Sequence, residues 1–322
     1  MTTGPQISVI IPTRNRAELL RQSLESLIAQ TLRPSDFEVV VIDDGGTDHT
    51  RGVCSNLAAA LPVTYYRIAP SGISAAKNLG IFAASAPIVL FFDDDDIADA
   101  DLLRQHLITH QLHPDRATAV LGRTEWSPAL RITELMHYVT DVGRQLFDYS
   151  CIGHGDVLDF TFFWGGRSSC KRMLLAREGI FDQNFRFGSE DIELGYRLQP
   201  HGFKVVYNRD AISYMNRPIA YDDFCARCER QGHSQHHFGN VLHGRDPEIR
   251  RYCDVDDAGS RWREAEPHLQ RKTTRVHELE RRVADDPDDG STRRWQAELH
   301  QLYGETFRAY KLKGIVSAMR GT

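Results

Sequence analysis

Ile88-Val-Leu-Phe-Phe-Asp-Asp-Asp-Asp96 sets five apolar residues directly against four carboxylates. An unbroken apolar run reads as a strand buried on both faces, as in a sheet covered by helices on each side. Four adjacent carboxylates repel one another, and a buried strand end does not tolerate them without a cation or hydrogen-bond donors. Towards the N-terminus the same alternation repeats. Residues 63–68 read as another buried strand, and residues 74–84 as the helix between it and the strand over 87–92. Residues 38–42 form a strand that ends in Asp43-Asp44-Gly45-Gly46, and residues 7–11 form the first strand, stopped by Pro12 and Thr13. Asn15 with Glu18 three residues on reads as a capping box, opening a helix whose Leu20, Leu24, Leu27 and Ile28 share one face. Strand and helix in alternation predict an α/β fold with a parallel sheet and right-handed crossovers. Ligands of such sheets gather at the carboxyl ends of the strands, where both acidic clusters fall.

Beyond Gly122 the regularity fades until residues 160–164. A helix near 171–178, an acidic turn at 189–191 and short strands over 203–207 and 211–214 then give a mixed α+β half. From Pro267 the chain turns polar and helical, with Leu269, Val276 and Val283 spaced by seven and an acidic turn over 285–290. Trp295, Leu299, Leu302, Phe307, Tyr310 and Ile315 stripe a second helix, so the tail reads as a helical hairpin. The expected division is a first half over 1–122, a second half over 123–250 and a helical extension over 260–322.

The 322 residues are 41% hydrophobic, enough for a full core, and the net charge of −5 supplies no positive field for nucleic acid. No window approaches the ~20 apolar residues of a membrane span, and no leader-like segment opens the chain. A cytoplasmic protein is expected, with the inner face of the membrane as an alternative, peripheral seat. The six cysteines are too sparse for a disulfide scaffold and read as reduced thiols.

Mg²⁺ and Mn²⁺ take oxygen ligands, keep several waters and share phosphate oxygens, so one or two carboxylates suffice for a metal bridging a diphosphate. Asp95 is the first choice of ligand, with Asp93 towards a donor ribose. The plainer alternative is a solvated acidic turn before a helix beginning after Asp99. Asp43 and Asp44 suit a base N–H or a ribose hydroxyl, although Asp-Asp-Gly-Gly taken alone is more often a turn. Glu190-Asp191 opens a helix, where a carboxylate either favours the helix dipole or serves as the general base for a sugar hydroxyl.

Ile7-Ser-Val-Ile-Ile-Pro-Thr13, Val41-Ile-Asp-Asp-Gly-Gly-Thr-Asp48, Gly72-Ile-Ser-Ala-Ala-Lys-Asn-Leu-Gly80 and Phe91-Phe-Asp-Asp-Asp-Asp96 resemble, in order and spacing, the family 2 glycosyltransferases. Trp164-Gly-Gly-Arg-Ser-Ser-Cys-Lys171, Gly179-Ile-Phe-Asp182 and Ser189-Glu-Asp-Ile-Glu-Leu-Gly-Tyr-Arg197 resemble the acceptor half, including its galactosyltransferase-like members. The resemblance implies a GT-A fold, a Rossmann-like mixed sheet, with inverting transfer from a nucleotide-sugar donor, UDP-linked by family prior, to an acceptor hydroxyl. It implies Mn²⁺ or Mg²⁺ on Asp93 and Asp95, and Asp191 as base beside Glu190. Pro12, Thr13, Arg14, Asp43, Asp44, Gly72, Lys77, Asp93 and Asp94 then surround the donor.

Three departures stand out. Lys77 replaces the arginine that many relatives carry before Asn-x-Gly, and so lacks the bidentate fork. Ser213-Tyr214-Met215-Asn216 stands where many relatives place a metal-binding histidine, leaving Asn216, a later histidine or water to complete the sphere. The Gln-x-x-Arg-Trp motif of processive synthases is absent, which favours single addition. Cys225, Cys228, His233, His236, His237 and Cys253 admit a zinc reading, against which stands a helix over 221–238 with inward thiols and with Arg227 and Arg230 as diphosphate contacts. The tail is read as a buttress or a homodimer contact. The rival functions are a sugar-nucleotide nucleotidyltransferase, disfavoured because 12–16 holds no glycine-rich loop, and a catalytically silent glycan-binding protein, disfavoured by Asp95 and Asp191 together.

Overall fold

The computed structural model describes residues 4–185, 187–285 and 292–321. In chain order the elements are β1 (Ile7–Thr13), α1 (Ala17–Ile28), β2 (Phe37–Asp44), α2 (Thr50–Leu57), β3 (Val63–Ile68), α3 (Ile73–Ala83), β4 (Ile88–Phe91), β5 (Asp96–Ala98), α4 (Leu102–Leu112) and β6 (Thr118–Trp126). There follow α5 (Glu134–His137), β7 (Val157–Leu158), β8 (Ser168–Lys171), α6 (Arg172–Glu178), α7 (Glu190–Leu198), β9 (Lys204–Met215), α8 (Tyr221–His236), α9 (Pro247–Tyr252), α10 (Ala258–Asp285) and α11 (Thr292–Arg320). They fall into two compact units. One comprises Met1–Leu130, Tyr149–Arg186 and Glu190–Arg217, the other Arg131–Asp148, Phe187–Ser189 and Pro218–Thr322.

The first unit is built on one sheet, ordered β3-β2-β1-β4-β8-β6-β9-β5 with β7 against β9. Strands β3 to β4 are parallel, as the alternation demands, but β8 runs antiparallel to both β4 and β6, so the sheet is mixed. Side chains of successive residues point to opposite faces. Ile7, Val9 and Ile11 therefore join Leu20, Leu24 and Leu27 of α1 in one core, while Ile10 joins Val89, Phe91 and Phe181 in the other. Both faces being covered is what makes β1 apolar at Ile7, Val9, Ile10 and Ile11, with the buried Ser8 hydroxyl donating to Glu38. Truncating the fully buried Leu24 to alanine would remove roughly 2–5 kcal/mol.

Several local expectations are corrected. Asn15 does not cap α1: it adopts a left-handed conformation (φ 54°), and its side-chain oxygen accepts from the Thr47 N–H at 2.7 Å. The Ala17 N–H instead donates to Asp48 at 2.9 Å, and Glu18 pairs with Arg21. Ile28 is exposed, and β3, an edge strand, has alternating exposure instead of two covered faces. The regularity does not stop at Gly122, because β6 runs on to Trp126. The glycine lies within β6 at a register shift against β9, where a Cβ would come 2.6 Å from the Ala211 carbonyl oxygen, so the residue permits a bulge. The two short strands over 203–214 are one, β9, carried through its polar middle because Asn208 donates to Thr109 Oγ1 at 2.8 Å.

In the second unit α8 packs against α11, and α10 pairs with α11. The α8–α11 approach is backbone-close: a Cβ on Gly232 would collide with the Lys311 carbonyl, and one on Gly314 with that of Glu229. Tyr221, Phe224, Tyr303 and Phe307 form a ring cluster, with Tyr303 and Phe307 stacked at 5.6 Å. Helix α10 starts well before Pro267, which lies inside it, and the acidic turn expected over 285–290 falls outside the described residues apart from Asp285. The thiols of Cys225 and Cys228 are buried, and no group of three metal-ligating side chains occurs among the described residues. No helix of the described residues is long and apolar enough to cross a membrane.

Candidate active site

The carboxyl ends of β1, β2 and β4 bring together Thr13, Asp43, Asp44 and residues 93–96. Asp43 accepts from the Gly46 N–H at 2.6 Å and from the Tyr65 hydroxyl at 2.6 Å. Asp44 accepts from the Ser71 and Gly72 N–H groups at 2.6 and 3.0 Å. Both carboxylates are thus buried and fix loops, Asp44 setting the backbone at the start of α3, where Gly72 has φ 90°. Pro12 is half-buried in register with Ile42, and Arg14 is exposed.

The acidic run is held residue by residue. Asp94 accepts from the Thr13 hydroxyl at 2.7 Å and from Arg16 at 2.9 Å. Burial pushes its carboxyl up to about 6; Arg16 opposes this and the charge of Asp95 adds to it. Asp95, 6% exposed, takes Arg217 Nε at 2.7 Å and Arg16 at 3.4 Å, both on Oδ2. Asp96 accepts from Ser213 at 2.8 Å, and burial holds its carboxyl well above the carboxylate range despite Arg167. Asp93 is the most open of the four, with Arg167 at 3.7 Å.

Across from these, α7 begins at Glu190, and Asp191 is partly buried. Asp191 Oδ2 accepts from the Gly165 N–H at 2.6 Å and Oδ1 from that of Ile192 at 2.8 Å. Lys77, 1% exposed, donates to Glu190 Oε1 at 2.8 Å and to the Gly165 carbonyl at 2.9 Å. Lys77 and Asp191 therefore grip opposite ends of one residue. Burial works against the Lys77 charge, but Glu190 and Asp191 outweigh it and hold the ammonium above its ordinary range. Burial, reinforced by Glu190, pushes Asp191 up to about 6, with Lys77 opposing.

Gly165 and Gly166 join the two clusters. A Cβ on Gly165 would lie 2.5 Å from Lys77 Nζ and 3.1 Å from Asp191 Oδ2, and one on Gly166 would collide with the Asp93 carboxylate. Glycine is required at both because side chains close on the backbone from either side.

Oxygen donors of this kind suit Mg²⁺ or Mn²⁺. Burial and the neighbouring carboxylates raise the Asp94 and Asp96 carboxyls, the mark of a cluster short of positive charge that a divalent ion would meet. Asp93 and Asp95 are the residues that would hold it. Asn216, considered as a third ligand, commits its side-chain amide to Gln22 at 2.5 Å, while its N–H holds the Asp95 carbonyl at 2.7 Å. Arg227 and Arg230, considered as diphosphate contacts, stand over the Phe187 ring at 5.0 and 4.7 Å in the second unit. Arg16, Arg217 and Tyr65 escaped the sequence reading. The available signal was position: Arg16 follows β1 and Arg217 follows β9, both at strand ends facing acidic residues.

The description of glycosyl transferase family 2 matches residues 8–173. Validoxylamine A glucosyltransferase of Streptomyces hygroscopicus subsp. limoneus is 32% identical over 240 residues, covering 64% of this chain and 51% of the relative. Chondroitin synthase of Escherichia coli is 28% identical over 241 residues, 66% of this chain and 35% of that protein. The chain spans about half the length of the validoxylamine A glucosyltransferase it matches. Among solved structures, mannosyltransferase PcManGT of Pyrobaculum calidifontis, in complex with GDP-Man and Mn²⁺, superposes with a TM-score of 0.63 at 20% identity, over 100% of this chain and 89% of its own. TarS 1-349 of S. aureus in complex with UDP gives 0.54 at 15% identity, over 98% and 92%. Glycosyltransferases of the GT-A fold share the architecture, and the chain belongs to glycosyl transferase family 2.

Proposed function

We propose that this chain transfers a sugar from a nucleoside diphosphate donor, a UDP-sugar first among them, to an acceptor hydroxyl with inversion at the anomeric carbon. The observation that carries the reading is the Gly165–Gly166 dipeptide, with the Asp191 carboxylate closed on its first residue and the Asp93 carboxylate on its second. A base and a diphosphate site one residue apart suit a sugar lying between them. The likeness to a glucosyltransferase, and to structures holding GDP-Man with Mn²⁺ and UDP, supports the same substrate class.

On this reading Asp191 takes the proton of the acceptor hydroxyl as its oxygen bonds to the anomeric carbon. The bond from that carbon to the diphosphate oxygen breaks, and the nucleoside diphosphate leaves with the electron pair. A divalent ion on Asp93 and Asp95 would stabilise the charge developing on the leaving group. Asp43, Asp44, Thr13 and Gly72 shape the nucleoside side, with Pro12 and Arg14 at its edge. Lys77, buried against Glu190 and Gly165, acts on the base as a positioning residue in place of direct phosphate contact. Glu190 anchors Lys77 and orients the start of α7.

A thermal-shift screen of UDP-, GDP- and dTDP-sugars with and without Mn²⁺ tests this. A ligand at about 100 times its Kd adds roughly 2.7 kcal/mol to the folded state. A UDP-sugar should raise the melting temperature only with Mn²⁺ present. If no nucleotide sugar shifts melting with Mn²⁺ supplied, the donor-site reading fails.

A further inference from the structure

Asp95 faces two arginines. Its side chain is almost buried, and Oδ2 receives Arg217 Nε at 2.7 Å and Arg16 at 3.4 Å. Arg16 is shared, since its nearer partner is Asp94 at 2.9 Å. Arg217 is not shared in this way: it is the closer cation on Asp95 and retains 29% of its side-chain exposure. It also stands at a defined point of the backbone. The preceding Asn216 N–H binds the Asp95 carbonyl at 2.7 Å, so residue 217 leaves β9 directly beside the acidic run. A partly exposed guanidinium at this point has N–H groups to spare beyond the Nε that binds Asp95, and its planar fork matches phosphate oxygens.

We propose that Arg217 couples divalent-metal binding to the nucleoside diphosphate. The inference rests on the donor-site reading above. With no diphosphate present, Arg217 neutralises Asp95, and a divalent cation arriving alone meets a carboxylate already paired and a positive charge beside it. A diphosphate would bring negative charge to the free face of the guanidinium and relieve the repulsion, leaving Asp95 able to hold a divalent cation. Arg217 is thus both a diphosphate contact and the group that makes metal affinity depend on nucleotide. Arg16, divided between Asp94 and Asp95, contributes to the same field without supplying the coupling.

Linkage makes this measurable without turnover. If UDP tightens Mn²⁺ by some factor, Mn²⁺ tightens UDP by the same factor, and such couplings are commonly about 5–150-fold. Mn²⁺ binding is followed by the electron paramagnetic resonance signal of the free ion, with and without UDP, in the full chain and in Arg217→Gln and Arg217→Lys. Arg217→Gln should bind Mn²⁺ alone more tightly than the parent, on the order of tenfold, and lose most of the UDP-dependent gain. Arg217→Lys keeps the charge without the fork, and should keep Mn²⁺ alone weak while weakening UDP. Melting temperatures within a few degrees of the parent certify both variants as folded, and Arg217→Lys carries the test should Arg217→Gln not fold. Unchanged or weaker Mn²⁺ affinity with an intact coupling factor in Arg217→Gln overturns the proposal and leaves Arg217 as a brace for Asp95. So does parental UDP affinity in Arg217→Lys. A parent chain that binds no UDP with Mn²⁺ supplied overturns the donor-site reading itself, a different failure from the loss of coupling alone.

Discussion

Replacing Lys77 by methionine removes a buried cation while keeping most of its volume. The ammonium stands 2.8 Å from Glu190 Oε1, with the lysine 1% and the glutamate 3% exposed, so solvent does not take its place. Among the described residues Glu190 Oε2 has no hydrogen-bond partner, and Lys77 is the cation paired with this carboxylate. At an effective dielectric constant of about 20 the gross attraction at this distance is about 6 kcal/mol. Breaking a buried pair by removing one partner typically costs roughly 3–5 kcal/mol, because the other charge stays buried. At about 2–4 °C per kcal/mol for a unit of this size, Lys77→Met should lower the melting temperature by roughly 6–20 °C. Adding Glu190→Gln to that variant removes the stranded charge and should recover at least ~2 kcal/mol, read by denaturant unfolding of the parent, both single variants and the double. Lys77 also donates to the Gly165 carbonyl, whose own N–H holds Asp191, so turnover should stay low in the stabilised double variant. A Lys77→Met protein melting within ~2 °C of the parent, or a double variant less stable than Lys77→Met, would refute the reasoning.

The pH dependence follows from Asp191, which burial pushes up to about 6. A base must be ionised, so the transfer rate should rise with pH and level off above about 6; a rate flat through that region contradicts the assignment. In stability the same shift acts the other way: between an unfolded value of about 3.9 and the folded one the native state keeps a proton that the unfolded chain has released, so this contribution falls as pH rises across that window. Gly166→Ala should strain the Asp93 contact, costing roughly 1–3 kcal/mol and weakening Mn²⁺-dependent UDP affinity in calorimetry, whereas parental affinity would separate Asp93 from the donor site.

The half of the fold set by burial on two faces was legible from the residues. Ile7, Val9, Ile10 and Ile11 have apolar neighbours on either side of the sheet, so β1 announces itself, and β2 and β4 do likewise. Where polar neighbours satisfy the strand, the signal vanishes. Ser169 in β8 is fully buried, accommodated by His106 at 2.8 Å and His110 at 2.9 Å, contacts between segments about 60 residues apart. Asn208 disguises β9 for the same reason. The carboxylates of the candidate site were visible because four in a row after an apolar run are costly. Their counter-charges were not, since Arg16 and Arg217 lie 78 and 122 residues from their acidic partners and no local pattern pairs them. The capping box failed because Asp48, 31 residues away, serves the first turn of α1 better than Asn15 can from a left-handed conformation.

The most direct test of the central claim is the donor turnover rate of Asp191→Asn at saturating UDP-sugar and Mn²⁺, with UDP affinity measured on the same sample. The amide keeps the side chain's size and an oxygen for the Gly165 N–H but has no basic oxygen for the acceptor proton. The account predicts UDP affinity close to the parent's and a rate lower by on the order of 10² to 10⁴. Near-parental turnover in a folded Asp191→Asn protein would contradict it and remove Asp191 from the chemistry.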